Sequence, residues 1–127
     1  MIAVDTSALI AIAQAERQSD VCLSALARTD EAIISVGTLT EALVVAGRRG
    51  IAAETASLLE KYPFNVIAVT ASTAHRVAEA YSRWGRGLHP AGLNLGDCFA
   101  YVVAKEHSCP LLFVGKDFAQ TDIESVL

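Results

Sequence analysis

The chain has 127 residues, is 53% hydrophobic and carries a formal net charge of −4 at pH 7; this is enough for one domain with a buried core and too little for two. No apolar run approaches the ~18 residues of a membrane span, and Met1-Ile2-Ala3-Val4-Asp5 lacks the basic start of a signal peptide, so we expect a cytoplasmic protein without membrane contact. The negative charge argues against broad, non-specific binding to nucleic acid, although an enzyme whose acids are covered by divalent cations stays possible.

Short apolar runs alternate with amphipathic segments along the chain. The predicted strands cover residues 1–4, 31–36, 64–69 and 110–114, with a short edge strand at 122–126. The predicted helices cover residues 8–13, 19–28, 39–49, 51–61, 70–84 and 95–104. This alternation predicts an α/β sandwich around a mainly parallel sheet.

Four isolated acids stand at the junctions between these elements. Asp5 and Asp117 follow predicted strands, whereas Glu41 and Asp97 lie where predicted helices begin. Because right-handed crossovers bring strand ends and helix starts to the same edge of a parallel sheet, we expect the four carboxylates to converge.

Each of these acids also has a simpler interpretation. Asp5 can cap the first helix, and Asp97 can complement the positive end of a helix dipole. Thr38 and Glu41 have the spacing of a capping box, which by itself would account for Glu41. Four unrelated helix caps are therefore the alternative to a single acidic site.

If the four carboxylates do converge, they repel one another, and a divalent cation is the usual relief. Ligation by carboxylate oxygen suits Mg²⁺ or Mn²⁺ rather than zinc, and Cys22, Cys98 and Cys109 show no zinc-site spacing. Such ions lower the pKa of water and stabilise charge on a phosphodiester, so the pattern is typical of a nuclease.

Residues 83–92 form a glycine-rich, basic segment that we interpret as a flexible loop leading into the helix of Asp97. Arg83, Trp84, Arg86 and His89 are our candidates for RNA contact, with stacking on the indole and phosphate pairing by the arginines. In the alternative interpretation Trp84 packs at the helix end and the basic residues are solvated. Arg48 and Arg49 are weaker candidates, because arginines at a helix C-terminus need no ligand.

Four blocks of sequence, spread over nearly the whole chain, stand out. The blocks are Ile2-Ala3-Val4-Asp5-Thr6-Ser7-Ala8-Leu9, Thr40-Glu41-Ala42, Leu93-Asn94-Leu95-Gly96-Asp97-Cys98-Phe99-Ala100-Tyr101, and Pro110-Leu111-Leu112-Phe113-Val114-Gly115-Lys116-Asp117-Phe118 with Thr121-Asp122-Ile123. In this order and at these spacings, the blocks resemble the PIN-domain ribonuclease toxins of the VapC type.

This resemblance implies a three-layer α/β/α sandwich, a single PIN domain over residues 1–127 that usually forms a homodimer. It implies an endoribonuclease that depends on Mg²⁺ or Mn²⁺ and cuts structured RNA such as tRNA or ribosomal RNA, thereby arresting translation. It also implies a small VapB-like antitoxin, whose inserted segment blocks the active site. A PIN-domain nuclease of RNA processing and a catalytically silent binding module are the alternatives.

The resemblance also assigns roles to residues. By position, Asp5 and Asp97 match the principal metal ligands of the family, and Glu41 and Asp117 complete the catalytic acids. Asp122 matches a further acid of secondary importance.

Three more positions complete the set implied by the resemblance. Thr6 and Ser7 match small hydroxyl residues near the ligands. Lys116 stands where relatives often have Asn or an acid, so we expect it to reduce the negative charge of the site or to contact phosphate.

Overall fold

The computed structural model of the chain covers residues 1–127 and contains four strands, six α-helices and one short 3₁₀ turn. The strands are β1 (Ile2–Val4), β2 (Ala32–Ser35), β3 (Phe64–Ile67) and β4 (Leu111–Leu112). The helices are α1 (Thr6–Ala13), α2 (Ser19–Arg28), α3 (Val36–Arg49), α4 (Ala52–Lys61), α5 (Ala71–Trp84) and α6 (Leu95–Glu106), and the 3₁₀ turn is Phe118–Gln120.

The four strands form one parallel sheet in the order β3-β2-β1-β4. The chain moves outward from β1 through β2 to β3 and then returns to the other side of β1 for β4. Strand order therefore reverses at β1, and in open parallel sheets the crevice beyond the carboxyl ends of the strands at such a point is where sites form. Residues that follow β1 and β4 lie at this crevice.

Alternate residues of the inner strands pack into two separate cores, one on each face of the sheet, because successive side chains of a strand point to opposite faces. Ala3 and Ile33 belong to a core with α5 and α6. Ile2, Val4 and Ile34 belong to a second core, to which helices α1 to α4 contribute buried side chains. This arrangement is the predicted α/β/α sandwich with a parallel sheet, and that prediction is confirmed.

Helix α3 begins at Val36, directly after β2 and three residues before the predicted start of this helix at residue 39. Ser35 is its N-cap residue, and the Ser35 hydroxyl accepts a hydrogen bond from the backbone N–H of Gly37 at 3.2 Å. The predicted capping box of Thr38 and Glu41 is therefore wrong, since Thr38 already lies inside the helix and is fully buried. Glu41 sits a turn and a half into α3 and caps nothing.

The segment between α5 and α6 is a hydrogen-bonded turn and not the flexible loop that we predicted. The backbone N–H of Arg86 donates to the carbonyl of Leu93, and the N–H of Leu93 donates to the carbonyl of Trp84, both at 3.0 Å. The predicted edge strand near the C-terminus is reduced to one parallel bridge between Leu111 and Ser125. None of the helices is both long and apolar enough to cross a bilayer.

Candidate active site

Asp5 occupies the junction between the innermost strand and the first helix. It is the N-cap of α1, and its side chain is 2% exposed. One carboxylate oxygen, Oδ2, accepts hydrogen bonds from the backbone N–H of Ser7 at 3.0 Å and from the Ser7 hydroxyl at 2.7 Å. The other oxygen, Oδ1, is buried without a hydrogen-bond partner. A buried carboxylate oxygen without a donor is costly, so this atom calls for a ligand or a proton.

Two hydroxyl residues next to Asp5 hold the junction in place. The Ser7 hydroxyl accepts a hydrogen bond at 3.0 Å from the backbone N–H of Val114, which follows β4. Ser7 thereby ties Asp5 to the strand beside it. The hydroxyl of the buried Thr6 donates to the carbonyl of Thr38 at 3.2 Å and so links α1 to α3. Ser7 therefore positions Asp5 by direct hydrogen bonds, and Thr6 does so by holding the neighbouring backbone.

Glu41 approaches Asp5 from α3 and lies against the start of α6. A side-chain carbon at Gly96 would overlap the Glu41 carboxylate. The absence of a side chain at Gly96 is therefore what allows Glu41 to reach the cleft. Glu41, Val45 and Arg49 are spaced by four residues along α3, and all three line the same cleft over about 12 Å of helix.

Asp97 combines the two interpretations that its sequence position left open. Its Oδ2 accepts from the backbone N–H of Asn94 at 3.0 Å, while its own N–H donates to the Asn94 Oδ1 at 2.8 Å. This reciprocal pair is a capping box at the start of α6. Oδ1 of Asp97 makes no hydrogen bond, and the residue lines the cleft with Asp5 and Glu41. Capping therefore orients the carboxylate toward the cleft.

Asp117 is the most peripheral of the four acids. It is exposed in the turn after β4 and is the N-cap residue of the 3₁₀ turn, although its side chain makes no capping hydrogen bond. Asp117 does not line the cleft, although its charge lies close enough to Asp97 to raise the pKa of that carboxyl. The neighbouring Lys116 is also exposed and makes no ion pair. The structure thus gathers three predicted acids in the cleft and leaves the fourth at its margin.

The cleft has a volume of about 410 Å³, and its carboxylates act on one another. Burial raises the pKa of Asp5 to about 7, with further contributions from the charges of Asp97 and Glu41. Burial also raises the pKa of Asp97 to about 6, and Asp117 and Glu41 add to this shift while Arg86 opposes it. The raised pKa values indicate that no positively charged group of the protein fully offsets the burial and mutual repulsion of these carboxylates.

The donor chemistry of the cleft suits Mg²⁺ or Mn²⁺, because Asp5, Glu41 and Asp97 offer only carboxylate oxygens. Asp5 Oδ1 is buried and unpaired, as an oxygen that ligates an ion would be. No three acidic, histidine or cysteine side chains are grouped as closely as the ligands of one bound ion. The residues fit a hard divalent cation in the type of donor atom that they offer.

Asp122, which we expected to be a further acid of secondary importance, does not line this cleft. Its Oδ1 accepts a hydrogen bond from the Tyr101 hydroxyl at 2.6 Å. Its Oδ2 is 3.1 Å from Lys105 Nζ and 3.7 Å from Arg83 Nη1. Burial alone would raise the pKa of Asp122, but these hydrogen bonds and positive charges together lower it. We call this group, Arg83, Tyr101, Lys105 and Asp122, the Asp122 cluster.

Trp84 is buried. Its ring is therefore not available for the stacking on RNA that we predicted. The side chain is 8% exposed and belongs to the core under α5 and α6. The Arg83 guanidinium lies 4.5 Å above the ring, and the His89 ring contacts it edge-on at 4.7 Å. His89 Nδ1 accepts a hydrogen bond from the backbone N–H of Ala91 at 3.0 Å. Of the predicted RNA contacts in this segment, only Arg86 is both exposed and near the acids.

Two residues of the cleft were missed by sequence reasoning, and a third, Arg49, was considered only as a weaker candidate for RNA contact. Glu16 and Asn94 line the cleft, and so does Arg49, whose guanidinium donates to Gln14 Oε1 at 2.8 Å. The signal for Arg49 was present, because it falls on the helix face of Glu41. The capping role of Asn94 was readable from its position three residues before Asp97. Nothing local marks Glu16, since it follows α1 in a turn.

Comparison with known sequences gives a consistent result. The family model described as PIN domain matches residues 2–124. Among curated proteins, the chain is 40% identical over 125 residues to Ribonuclease VapC36 of Mycobacterium tuberculosis, covering 95% of this chain and 90% of that protein. The match therefore extends over both proteins almost end to end, and the residues matched by the family model span the positions of all four acids.

Comparison with solved structures shows the same fold. The crystal structure of VapC20 from Mycobacterium tuberculosis, described as a Sarcin-Ricin loop cleaving toxin, superposes with a TM-score of 0.81 at 20% identity, covering 99% of this chain and 98% of that one. A toxin–antitoxin complex from Klebsiella pneumoniae contains a chain that superposes with a TM-score of 0.72 at 24% identity, covering 96% and 93%.

Proposed function

The chain belongs to the PIN-domain family, among the ribonuclease toxins of the VapC type, and on this premise we propose that it is an endoribonuclease whose activity requires Mg²⁺ or Mn²⁺. The observation that carries the metal requirement is the state of Asp5. Its Oδ1 is buried without a donor, and two further carboxylates face the same cleft. A cation supplies the missing partner for this oxygen and removes the repulsion among the three acids.

Asp5, Glu41 and Asp97 would hold the ion, and Asp117 would add negative charge from the margin. Asp5 and Asp97 are prepared for this role in the same way, because each has Oδ2 engaged by hydrogen bonds and Oδ1 free. The backbone contacts fix the direction of each carboxylate before the ion binds, which reduces the cost of ordering the site. Ser7 contributes by linking Asp5 to β4.

A bound Mg²⁺ or Mn²⁺ would stabilise the negative charge that develops on the phosphate and lower the pKa of water. The chain's own residues supply the surroundings of this chemistry. Glu41 and Asp97 flank the position of the RNA phosphate from two helices, and Arg49 and Arg86 provide positive charge beside the cleft. This charge offsets part of the repulsion between RNA and an acidic protein.

We further propose a structured RNA, tRNA or ribosomal RNA, as the substrate and arrest of translation as the consequence. The VapC20 toxin, which cleaves the sarcin–ricin loop, has the same fold, and this supports ribosomal RNA as one candidate. The Klebsiella pneumoniae neighbour was solved as a toxin–antitoxin complex, which supports an antitoxin as the protein partner. A VapB-like antitoxin that covers the acidic cleft, and a homodimer of the toxin, complete the proposal.

The test is cleavage of total cellular RNA by the purified protein, with new 5′ ends mapped along all transcripts. We expect cleavage with Mg²⁺ or Mn²⁺ and none with EDTA. Asp5→Asn and Asp97→Asn should each lower the rate at least about 100-fold, because each removes a ligand charge. Asp122→Asn is the matched control and should cleave nearly as well as the wild type. Cleavage that survives both cleft substitutions, or that persists in EDTA, would exclude this mechanism.

A further inference from the structure

A second cavity adjoins the acidic cleft on the side of the turn between α5 and α6. It has a volume of about 370 Å³ and is formed by Tyr81, Arg86, Asn94 and Leu95. Asn94 lines both the cavity and the cleft, so the two share a wall. A chain that crosses the cleft can therefore continue into this cavity.

The Arg86 guanidinium is free to bind an anion. Arg86 is exposed, and neither the three ion pairs of the chain nor its side-chain hydrogen bonds include the Arg86 side chain. Its charge lies near enough to Asp97 to lower the pKa of that carboxyl. Arg83, in contrast, is paired with Asp122 and stacked on Trp84. A guanidinium without a protein partner beside a phosphodiester-cleaving site suits a neighbouring phosphate group.

The backbone that carries Arg86 is held rigidly. Its N–H donates to the carbonyl of Leu93 at 3.0 Å, and the adjacent Gly85 pairs with Leu93 in a β-bridge. Below the turn, the His89 ring packs against the Trp84 ring. The position of the Arg86 backbone relative to the cleft is therefore set by the fold, so little entropy is lost there when a ligand binds.

The cavity also offers two surfaces for a nucleobase. Leu95 is 59% exposed although it is apolar and begins α6. The half-buried Tyr81 ring lies against Gly85, where a side-chain carbon would sit 3.1 Å from two ring carbons. The absence of a side chain at Gly85 allows this close approach of the Tyr81 ring and carbonyl. Aromatic and apolar side chains of this kind hold unpaired bases in proteins that bind single-stranded RNA.

We propose that this cavity binds an unpaired nucleotide of the substrate RNA next to the cleaved bond, an inference that rests on the ribonuclease function proposed above. Arg86 binds the phosphate of this nucleotide, and Tyr81 and Leu95 contact its base. Because a base inside a duplex cannot leave its stack at no cost, the cavity selects RNA that is single-stranded at this position, such as a loop. In this proposal Tyr81, about one helical turn before Trp84 in α5, makes the stacking contact with an RNA base that we predicted for Trp84.

The experiment measures binding of a fluorescein-labelled, single-stranded RNA of randomised sequence by fluorescence anisotropy, with Ca²⁺ in place of Mg²⁺. We expect Arg86→Ala to weaken binding about tenfold. The slope of log affinity against log salt concentration should become shallower by about one, because one phosphate contact is lost. Tyr81→Leu should weaken binding about fivefold, whereas Tyr81→Phe, which keeps the ring, should bind as the wild type does.

Arg76→Ala is the charge-matched control. Arg76 is an exposed arginine of the same helix, paired with Glu106 at 3.5 Å on a surface away from the cleft. It should bind RNA as the wild type does. Equal losses in Arg76→Ala and Arg86→Ala would overturn the proposal, because net charge alone would then explain them.

A parallel measurement separates this proposal from the proposed function. If the wild type cleaves RNA and Arg86→Ala binds and cleaves equally well, the nucleotide site is wrong and the ribonuclease function stands. If Arg86→Ala and Tyr81→Leu raise KM while Asp97→Asn abolishes cleavage, both proposals are supported. If the wild type neither binds nor cleaves RNA, both fail.

Discussion

Two aspartates, Asp5 in the cleft and Asp122 in the Asp122 cluster, show opposite electrostatics. Asp5, in the cleft, is 2% exposed, has one unpaired oxygen and has its pKa raised to about 7. Asp122 is more exposed, accepts a hydrogen bond from Tyr101, pairs with Arg83 and Lys105, and has its pKa lowered. The protein neutralises the acid that water can reach and leaves the buried one without a counter-charge.

Asp122 therefore stabilises the folded state, whereas the buried Asp5 carboxylate destabilises it. The Asp122 cluster joins the C-terminal segment to α5 and α6 and needs no ligand. The cleft is unfavourable for folding on its own account, because buried carboxylates repel each other. A group that costs stability and has an open coordination position is typical of a functional site. The predictions below test whether the two regions differ in this way.

The largest expected effect comes from Gly96→Ala, which breaks the cleft while leaving the Asp122 cluster intact. The new methyl group would overlap the Glu41 carboxylate. We expect RNA cleavage to fall about 100-fold. The free energy of unfolding should change little, because the preference of a helix for alanine over glycine, about 1 kcal/mol, offsets the cost of displacing the Glu41 side chain. Urea denaturation and the initial rate of cleavage are the two measurements.

Gly47→Ala is the matched control for this substitution. Gly47 also lies in a helix, and a side-chain carbon there would meet nothing within 4 Å. This variant should keep full activity and gain about 0.5–1 kcal/mol of stability. Equal activity in the two alanine variants would show that the position of Glu41 is unimportant for cleavage.

The next effect is the pH dependence of stability without divalent cations. The pKa of Asp5 is about 3.8 when unfolded and about 7 when folded, so the folded state binds this proton more tightly. Its contribution to stability is therefore fully present below pH 4 and is lost as the pH rises through 7. In EDTA at pH 8, Asp5→Asn should exceed the wild type by about 2–4 kcal/mol, while at pH 4 the two should be nearly equal.

Mn²⁺ should reverse this order at pH 8, because the ion binds the folded wild type and loses a ligand in Asp5→Asn. The free energy of unfolding from urea titrations, with and without Mn²⁺, measures both effects. An Asp5→Asn protein that is less stable than the wild type in EDTA at pH 8 would contradict the proposed cost of this carboxylate.

The smallest effect belongs to the Asp122 cluster and should have the opposite sign. Asp122→Asn and Tyr101→Phe each remove part of a partly solvated network, so we expect losses of about 1 kcal/mol at pH 8 and low salt, with RNA cleavage retained. Because the pKa of Asp122 is lowered in the fold, its contribution is present above pH 3.8 and fades as the pH falls through the folded value.

Thermal unfolding at two salt concentrations measures this effect. The loss in Asp122→Asn should shrink at high salt, since its ion pairs are at the surface. A large loss of cleavage in this variant, with the stability unchanged, would assign Asp122 to the active site after all.

The amino-acid sequence by itself determined the elements and the edge at which the site forms. Alternating apolar runs predicted the strands and helices within a few residues. The right-handed crossover between parallel strands then places Asp5, Glu41 and Asp97 at the same edge of the sheet. This convergence does not depend on the residue at which each helix begins. These features depend on local periodicity and on a general rule of chain topology, and both can be read without coordinates.

The tertiary structure alone decided which charged and aromatic side chains meet one another. Asp122 comes after a predicted strand in sequence, as the proposed metal ligand Asp5 does, yet its carboxylate contacts Tyr101 and Lys105. Trp84 looked like an exposed ring in a basic loop, yet the turn that follows it folds back and buries it, which leaves Arg86 beside the cleft. Such outcomes depend on contacts between residues far apart along the chain, because a side chain's burial and partners are set by whatever packs against it, and local sequence does not encode that.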